Sequence, residues 1–140
     1  MKIARLAVTL CCVVLSLFLS AYGRIPLELK DVHTIDCPDT EEFSNITVSG
    51  AASTIAKCFF VEGTVVNRSK QTLFNADVFG RIYDANGNDI LPERSRLGAI
   101  EEVPPGESIF AIRITVPPTN ALPLSLEQFK AAGFAGTIRR

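Results

Sequence analysis

The sequence predicts an all-β protein, an antiparallel β-sandwich standing behind an N-terminal export segment. Three observations carry this reading. Apolar and polar residues alternate with period two in three runs between Cys58 and Val116, as in strands with one buried face. Clusters of turn formers separate the runs: Asn67-Arg68-Ser69-Lys70, Ala85-Asn86-Gly87-Asn88 and Pro104-Pro105-Gly106. Ahead of them, Lys2 and Arg5 precede an apolar run from Leu6 to Tyr22, broken only by Thr9, Ser16 and Ser20.

A short basic start followed by an apolar stretch is what a secretory signal requires. Ala21-Tyr22-Gly23 puts small residues at the −3 and −1 positions of a cleavage site before Arg24, so residues 1–23 read as a signal peptide. The alternative is an uncleaved anchor, because 17 apolar-run residues stand at the short end of the roughly 17–25 that span a bilayer. Cys11 and Cys12 lie mid-run rather than at its end, which argues against a lipid-modified N-terminus. Residues 24–44 are polar and irregular, with Asp36, Asp39, Glu41 and Glu42 around Cys37, and read as a leader. The sandwich itself is expected over residues 45–136.

Ile46-Thr47-Val48 is a short strand candidate between Asn45 and Gly50. After Cys58, one strand face carries Phe59, Val61, Gly63 and Val65, and the other Phe60, Glu62, Thr64 and Val66. In the next run Phe74, Ala76, Val78, Gly80 and Ile82 share a face, opposite Asn75, Asp77, Phe79, Arg81 and Tyr83. The turn-rich connections, with Asn86-Gly87 as the strongest hairpin signal, predict antiparallel pairing of consecutive strands. A strand over about Leu97–Val103 should stop at Pro104-Pro105, since proline lacks the ladder donor. In the last strong run Phe110, Ile112, Ile114 and Val116 oppose Ile109, Ala111, Arg113 and Thr115. The tail is two-valued. Ser125, Gln128 and Gly133 suit a capped helix, whereas Leu124, Leu126, Phe129 and Phe134 suit a bulged closing strand. The strand is preferred, because without it an edge is left open.

About 95 residues from Asn45 onward match the size of an immunoglobulin-like sandwich, here without the core Trp of antibody domains. The order Gly63-x-Val65-x-Asn67, Ile82-Tyr83-Asp84 with Gly87, and Pro105-Gly106-Glu107-Ser108 with Phe110 resembles the FxLYD domain family. The match spans roughly Cys58 to Val116, and it departs where Gly80 and Ile82 stand in place of the motif's Phe and Leu. The resemblance implies a small extracytoplasmic prokaryotic sandwich of unassigned activity, and it transfers no catalytic residue.

Composition excludes several functions. Loss of residues 1–23 leaves 12 basic and 15 acidic side chains, net −3, with no basic cluster to displace counterions from nucleic acid. Cys37 and Cys58 are then the remaining cysteines, and an even count in an exported chain argues for a disulfide. With one His and no C-x-x-C, four zinc ligands cannot be assembled, and His33 has no nucleophile-bearing motif beside it. Asp84–Asp89 resembles a calcium loop but has its Gly in the wrong position. Glu101 and Glu102 are adjacent, so on a strand they point to opposite faces and make no catalytic pair. Asn45-Ile46-Thr47 and Asn67-Arg68-Ser69 are glycosylation sequons that matter only in a eukaryotic secretory route.

What remains is a surface. Phe60, Phe79, Tyr83 and Ile109 lie on the mixed faces, with Arg81 and Arg113 among the rim charges. If their strands are neighbours, they form an aromatic patch of the kind that marks an interaction site. If the leader or tail covers them, they are core. The sequence thus predicts a non-catalytic, cofactor-free binding or assembly module in the periplasm, a lumen or the medium. Its expected partner is an envelope protein, with membrane contact only through an uncleaved residue 1–23 segment. A small-ligand or calcium-binding sandwich is the alternative.

Overall fold

The structure, a computed structural model, describes residues 23–40 and 56–136. These residues form six strands and no helix: β1 (Ile25–Asp36), β2 (Lys57–Asn67), β3 (Leu73–Tyr83), β4 (Arg96–Val103), β5 (Gly106–Val116) and β6 (Ser125–Phe134). Every pairing is antiparallel, in the order β4-β3-β6-β1-β2-β5. The apolar N-terminal run, Ile46-Thr47-Val48 and Arg139-Arg140 lie outside the described residues.

The segment read as a polar leader is the strand that joins the two halves of the sheet. Ile25–Leu27 pair with Ala131–Gly133 of β6, and from Glu28 to Asp36 the same strand pairs with β2. Only Leu27 of this strand is buried, with Ile25, Leu29 and Val32 partly buried against the core. An irregularity between Lys30 and His33 shifts the phase of the alternation, so no clean period survives in the sequence. The tail is the closing strand β6 rather than a helix.

Consecutive strong strands do not pair as expected. β2 lies between β1 and β5, whereas β3 lies between β4 and β6. The turn after Asn67 and the Pro104-Pro105 turn therefore each carry the chain from one half of the sheet to the other. The Asn86-Gly87 turn reverses the chain only briefly. Asp89 bridges to Tyr83 and Ile90 donates its N–H to the Ile82 carbonyl at 2.9 Å, after which the chain leaves for β4. Ile90 enters the core there.

Three bulges follow one rule. Asp31 (φ 52°), Asn75 (φ 47°) and Gln128 (φ 54°) are the non-glycine residues with left-handed backbone among those described. Each occupies a stretch where two residues of one strand oppose a single residue of the next. The opposed residue is a glycine each time: Gly63, Gly133 and Gly80 respectively. The extra residue turns apolar side chains on both sides of the bulge inward, Leu29 with Val32, Leu73 with Ala76, and Leu126 with Phe129. At Gly133 both crowd the place of a Cβ, which would meet Leu73 Cβ at 3.1 Å and Ala76 Cβ at 3.3 Å. A Cβ on Gly80 would lie 2.6–2.7 Å from three ring carbons of Phe129, and one on Gly63 would lie 3.0 Å from the Lys30 carbonyl oxygen. The bulge also corrects the faces of β3: Leu73 is buried, whereas Phe74 pairs with Phe134 and is only half-buried.

Buried side chains from both halves of the sheet form one cluster, with Val61, Val65 and Ile114 meeting Val78, Ile82 and Val103. The two edge strands approach across it, for a Cβ on Gly98 of β4 would touch Ile112 of β5 at 3.0 Å. The period-two faces expected for β2 and β5 hold throughout. Phe59, Val61 and Val65 are buried, as are Phe110, Ile112, Ile114 and Val116.

Candidate interaction surface

Cys37 and Cys58 form a disulfide across a sequence separation of 21. It stands directly beyond the last β1–β2 pair, Asp36 with Phe59, and Cys37 donates its N–H to the Cys58 carbonyl at 3.3 Å. The cross-link therefore closes the long β1–β2 connection at its base. In the chain-entropy account a loop of this length stabilises the fold by about 3 kcal/mol.

The six residues predicted to share a patch fall into two groups. Phe60 on β2 stands between Ile35 of β1 and Arg113 of β5, and Ile109 lies farther along β5 opposite Thr64. Ile109 is 76% exposed, the most exposed large hydrophobic among those described. Phe79, Arg81 and Tyr83 belong to β3, which β6 and β1 separate from β2. A single aromatic patch is therefore not formed. On β3, Phe79 is half-buried between Arg96 and Lys130 in register, and Arg81 donates to Asp89 at 2.9 Å. Arg81 thus ties down the Asp84–Asp89 turn instead of rimming a patch.

Buried polar side chains do structural work. Asn67 donates from Nδ2 to the Gln71 and Val103 carbonyls at 2.9 Å each, and its Oδ1 accepts from Ser69 N and Oγ. With both Nδ2 hydrogens spent inside the protein, this sequon asparagine is not presented for glycosylation. Asp77 accepts from Arg96 Nε at 2.7 Å, and Arg24 approaches it at 3.7 Å while its guanidinium lies 5.6 Å from the Phe134 ring centre.

Asp84 is the hub of the β3–β4 turn. Its carboxylate accepts from Asn86 N at 2.9 Å, Asn88 N at 2.8 Å, Asn88 Nδ2 at 3.1 Å and Asn120 Nδ2 at 2.9 Å. The Asn120 side chain and then the Asn88 backbone N–H favour the charged form most, holding the pKa at about 2. Because Asn120 follows β5, this one carboxylate ties together two loops at one end of the sheet. Its oxygens face four N–H donors, which opposes the calcium-loop reading. His33 is exposed and its Nδ1 lies 2.6 Å from the Asp31 carbonyl, across from Glu62 in register. Among the described residues no three His, Cys, Asp or Glu side chains are grouped to hold a metal. Asp36 and Asp39 of the acidic leader are exposed, and Glu41 and Glu42 lie outside the described residues.

The sequence reading missed a second apolar feature. Ile35 (39% exposed) and Leu122 (44% exposed) line one shallow groove beside Asp36, Phe59 and Leu124, next to the disulfide. Nothing local could have found it, since the groove joins β1 to the β5–β6 connection, far apart in sequence. Compared with known proteins, the chain matches no family model, no curated protein and no solved structure.

Proposed function

We propose that this chain is a non-catalytic binding or assembly module, an immunoglobulin-like β-sandwich of FxLYD type, working outside the cytoplasm against another envelope protein. The Cys37–Cys58 disulfide supports the oxidising compartment. The sandwich reading rests on one core shared by the β3–β4–β6 and β1–β2–β5 halves. Several landmarks of the family resemblance also have a structural task. Asn67 and Asp84 are hydrogen-bond hubs, Gly63 admits a bulge, and the space where a phenyl ring is expected at position 80 is filled by Phe129 of β6.

The observation that carries the reading is the outer side of β2 and β5. There Ile109 stands out into solvent, while the buried acid and amide groups elsewhere are consumed by turns (Asn67, Asp84) or by an ion pair with Arg96 (Asp77). A solvated isoleucine on a rigid strand, bounded by Glu107 and Arg113, suits contact rather than chemistry. Cross-linking in native cells, with capture through a tag on this chain and identification of what is attached, tests it. A recurrent partner whose cross-link is lost on Ile109→Lys supports the module reading. No partner, under conditions that capture a known complex, overturns it.

A further inference from the structure

We infer that the outer side of β3 carries a docking site of its own, a groove that takes a short acidic and apolar segment of a partner protein. It lies on the β4–β3–β6 half of the sheet, away from Ile109. It therefore goes beyond the role proposed above and is tested apart from it.

The groove, about 550 Å³, crosses β3 at Gly80, between the side chains of Phe79 and Arg81. Ser95, whose carbonyl accepts the Gly80 N–H at 2.9 Å, lines it on the β4 side. Phe129 and Lys130 line it on the β6 side. The bulge at Gln128 shapes this wall. It sets an extra β6 residue against Gly80, so Phe129 packs on that glycine while Lys130 stands in register opposite Phe79. Directly opposed residues of antiparallel strands share a face, so Arg96 of β4, Phe79 and Lys130 form one row across three strands. The row puts an aromatic ring between two cations.

The lining fixes the sign of the occupant. It includes two cations, Arg81 and Lys130, and no acid. Glu127 stands opposite Arg81 in register but outside the lining. Arg81 is held by Asp89 at 2.9 Å, and Arg96, beside the groove, by Asp77 at 2.7 Å. In both pairs the cation is the more exposed partner, 35% against 21% and 43% against 8%. The acids thus lie beneath and the guanidinium groups outside, each pinned through one nitrogen of a group with five N–H donors. Lys130 is exposed, and its ammonium is the charge on which the site depends. Two strand spacings are roughly 10 Å, a width that about three extended residues cover. Half-buried Phe79 and Phe129 offer such a segment an apolar bed for one side chain, with Lys130 meeting a carboxylate next to it. Pockets for small molecules bury roughly 70–90% of their ligand, which an open groove across a sheet does not do, so a length of polypeptide fits better.

Amide chemical shifts of the full chain, purified from cells that export it, test this during titration with two capped tripeptides, acetyl-Glu-Leu-Glu-amide and acetyl-Lys-Leu-Lys-amide. The expected result is weak, saturable and salt-sensitive binding of the acidic peptide alone, with shifts gathered at residues 79–81, 95 and 128–130. Lys130→Glu, at an exposed position, leaves thermal unfolding in place, weakens the acidic peptide roughly tenfold or more and lets the basic one bind. That exchange of preference is something a damaged fold would not produce. Ile109→Lys leaves the titration unchanged, which separates this site from the surface proposed above. Absence of saturable shifts up to about 10 mM overturns the inference, since that lies beyond the affinity of even a weak peptide site. Shifts centred elsewhere, equal binding of both peptides, or indifference to Lys130→Glu overturn it as well. Hexanoate, an apolar chain with one carboxylate, is the last comparison. If it moves the same residues at the same concentrations as the acidic peptide, the groove is a small-molecule site and the polypeptide assignment is refuted.

Discussion

Adding one methyl group at Gly80 tests the bulge rule directly. A Cβ there meets Phe129 Cε2 at 2.6 Å and Cδ2 and Cζ at 2.7 Å, whereas carbon atoms rest at about 3.5–4.0 Å. The ring must retreat by about 1 Å, and it sits between the core and the Gln128 bulge. Overpacking of this kind costs about 1–3 kcal/mol. Replacing glycine in a strand recovers about 0.5–1 kcal/mol of backbone entropy, so Gly80→Ala should destabilise by about 1–2 kcal/mol net. Phe129→Ala removes a partly buried ring and should cost a similar amount, below the roughly 3–5 kcal/mol of a fully buried one. The decisive quantity is the coupling. With the ring gone, the added methyl has space, so the double variant should be more stable than additivity predicts by about 1–3 kcal/mol. Urea unfolding of the four proteins with the disulfide intact measures this, with unchanged m-values as the check on two-state behaviour. Additive effects, or a Gly80→Ala variant as stable as the parent, would show that the ring does not lie on Gly80.

Three further outcomes follow from particular contacts. Replacing Cys37 and Cys58 together by Ser should lower stability by about 3 kcal/mol and the Tm by roughly 10–15 °C, read by calorimetry with and without reductant. The Asp84 carboxyl, held at about 2 against 3.8, gives stability that is complete above the higher value and drains away as pH falls through the lower one. Asp84→Asn should therefore be clearly less stable than the parent at neutral pH, with the gap in Tm closing as pH approaches 2; a constant gap would refute the charge-based account. At Gln128, with φ of 54°, Gln128→Val should cost more than about 1 kcal/mol and Gln128→Gly should be neutral or stabilising in denaturant titration, because only glycine takes left-handed backbone freely.

Most of the strand content was readable from local pattern. The faces of β2 and β5 appear in the sequence because both strands run unbulged beside each other, so period two survives over their whole length. The pairing of Cys37 with Cys58 needed only cysteine counting, once residues 1–23 are read as an export segment. β1 escaped notice because its buried residues are few and its phase slips at Asp31. At β6 the capping residues Ser125, Gln128 and Gly133 resemble those of a helix, while the slip at Gln128 lets Leu126 and Phe129, three apart, face the same core of a strand. Phe79, Arg81 and Tyr83 were grouped with Phe60 and Ile109 because strand faces are legible locally and strand neighbours are not.

By itself, then, the sequence determined the all-β class, the alternation of the strongest strands, the disulfide and the turn residues. All of these depend on neighbours within a few positions or on simple counting. The tertiary structure alone decided strand order and which glycines lie under bulges. Those depend on residues brought together from far along the chain, as Gly80 is beneath Phe129 and Asp84 beside Asn120. Period-two patterning tells a side chain which way to face, and only the closing of one core from both halves of the sheet tells it what it will meet there.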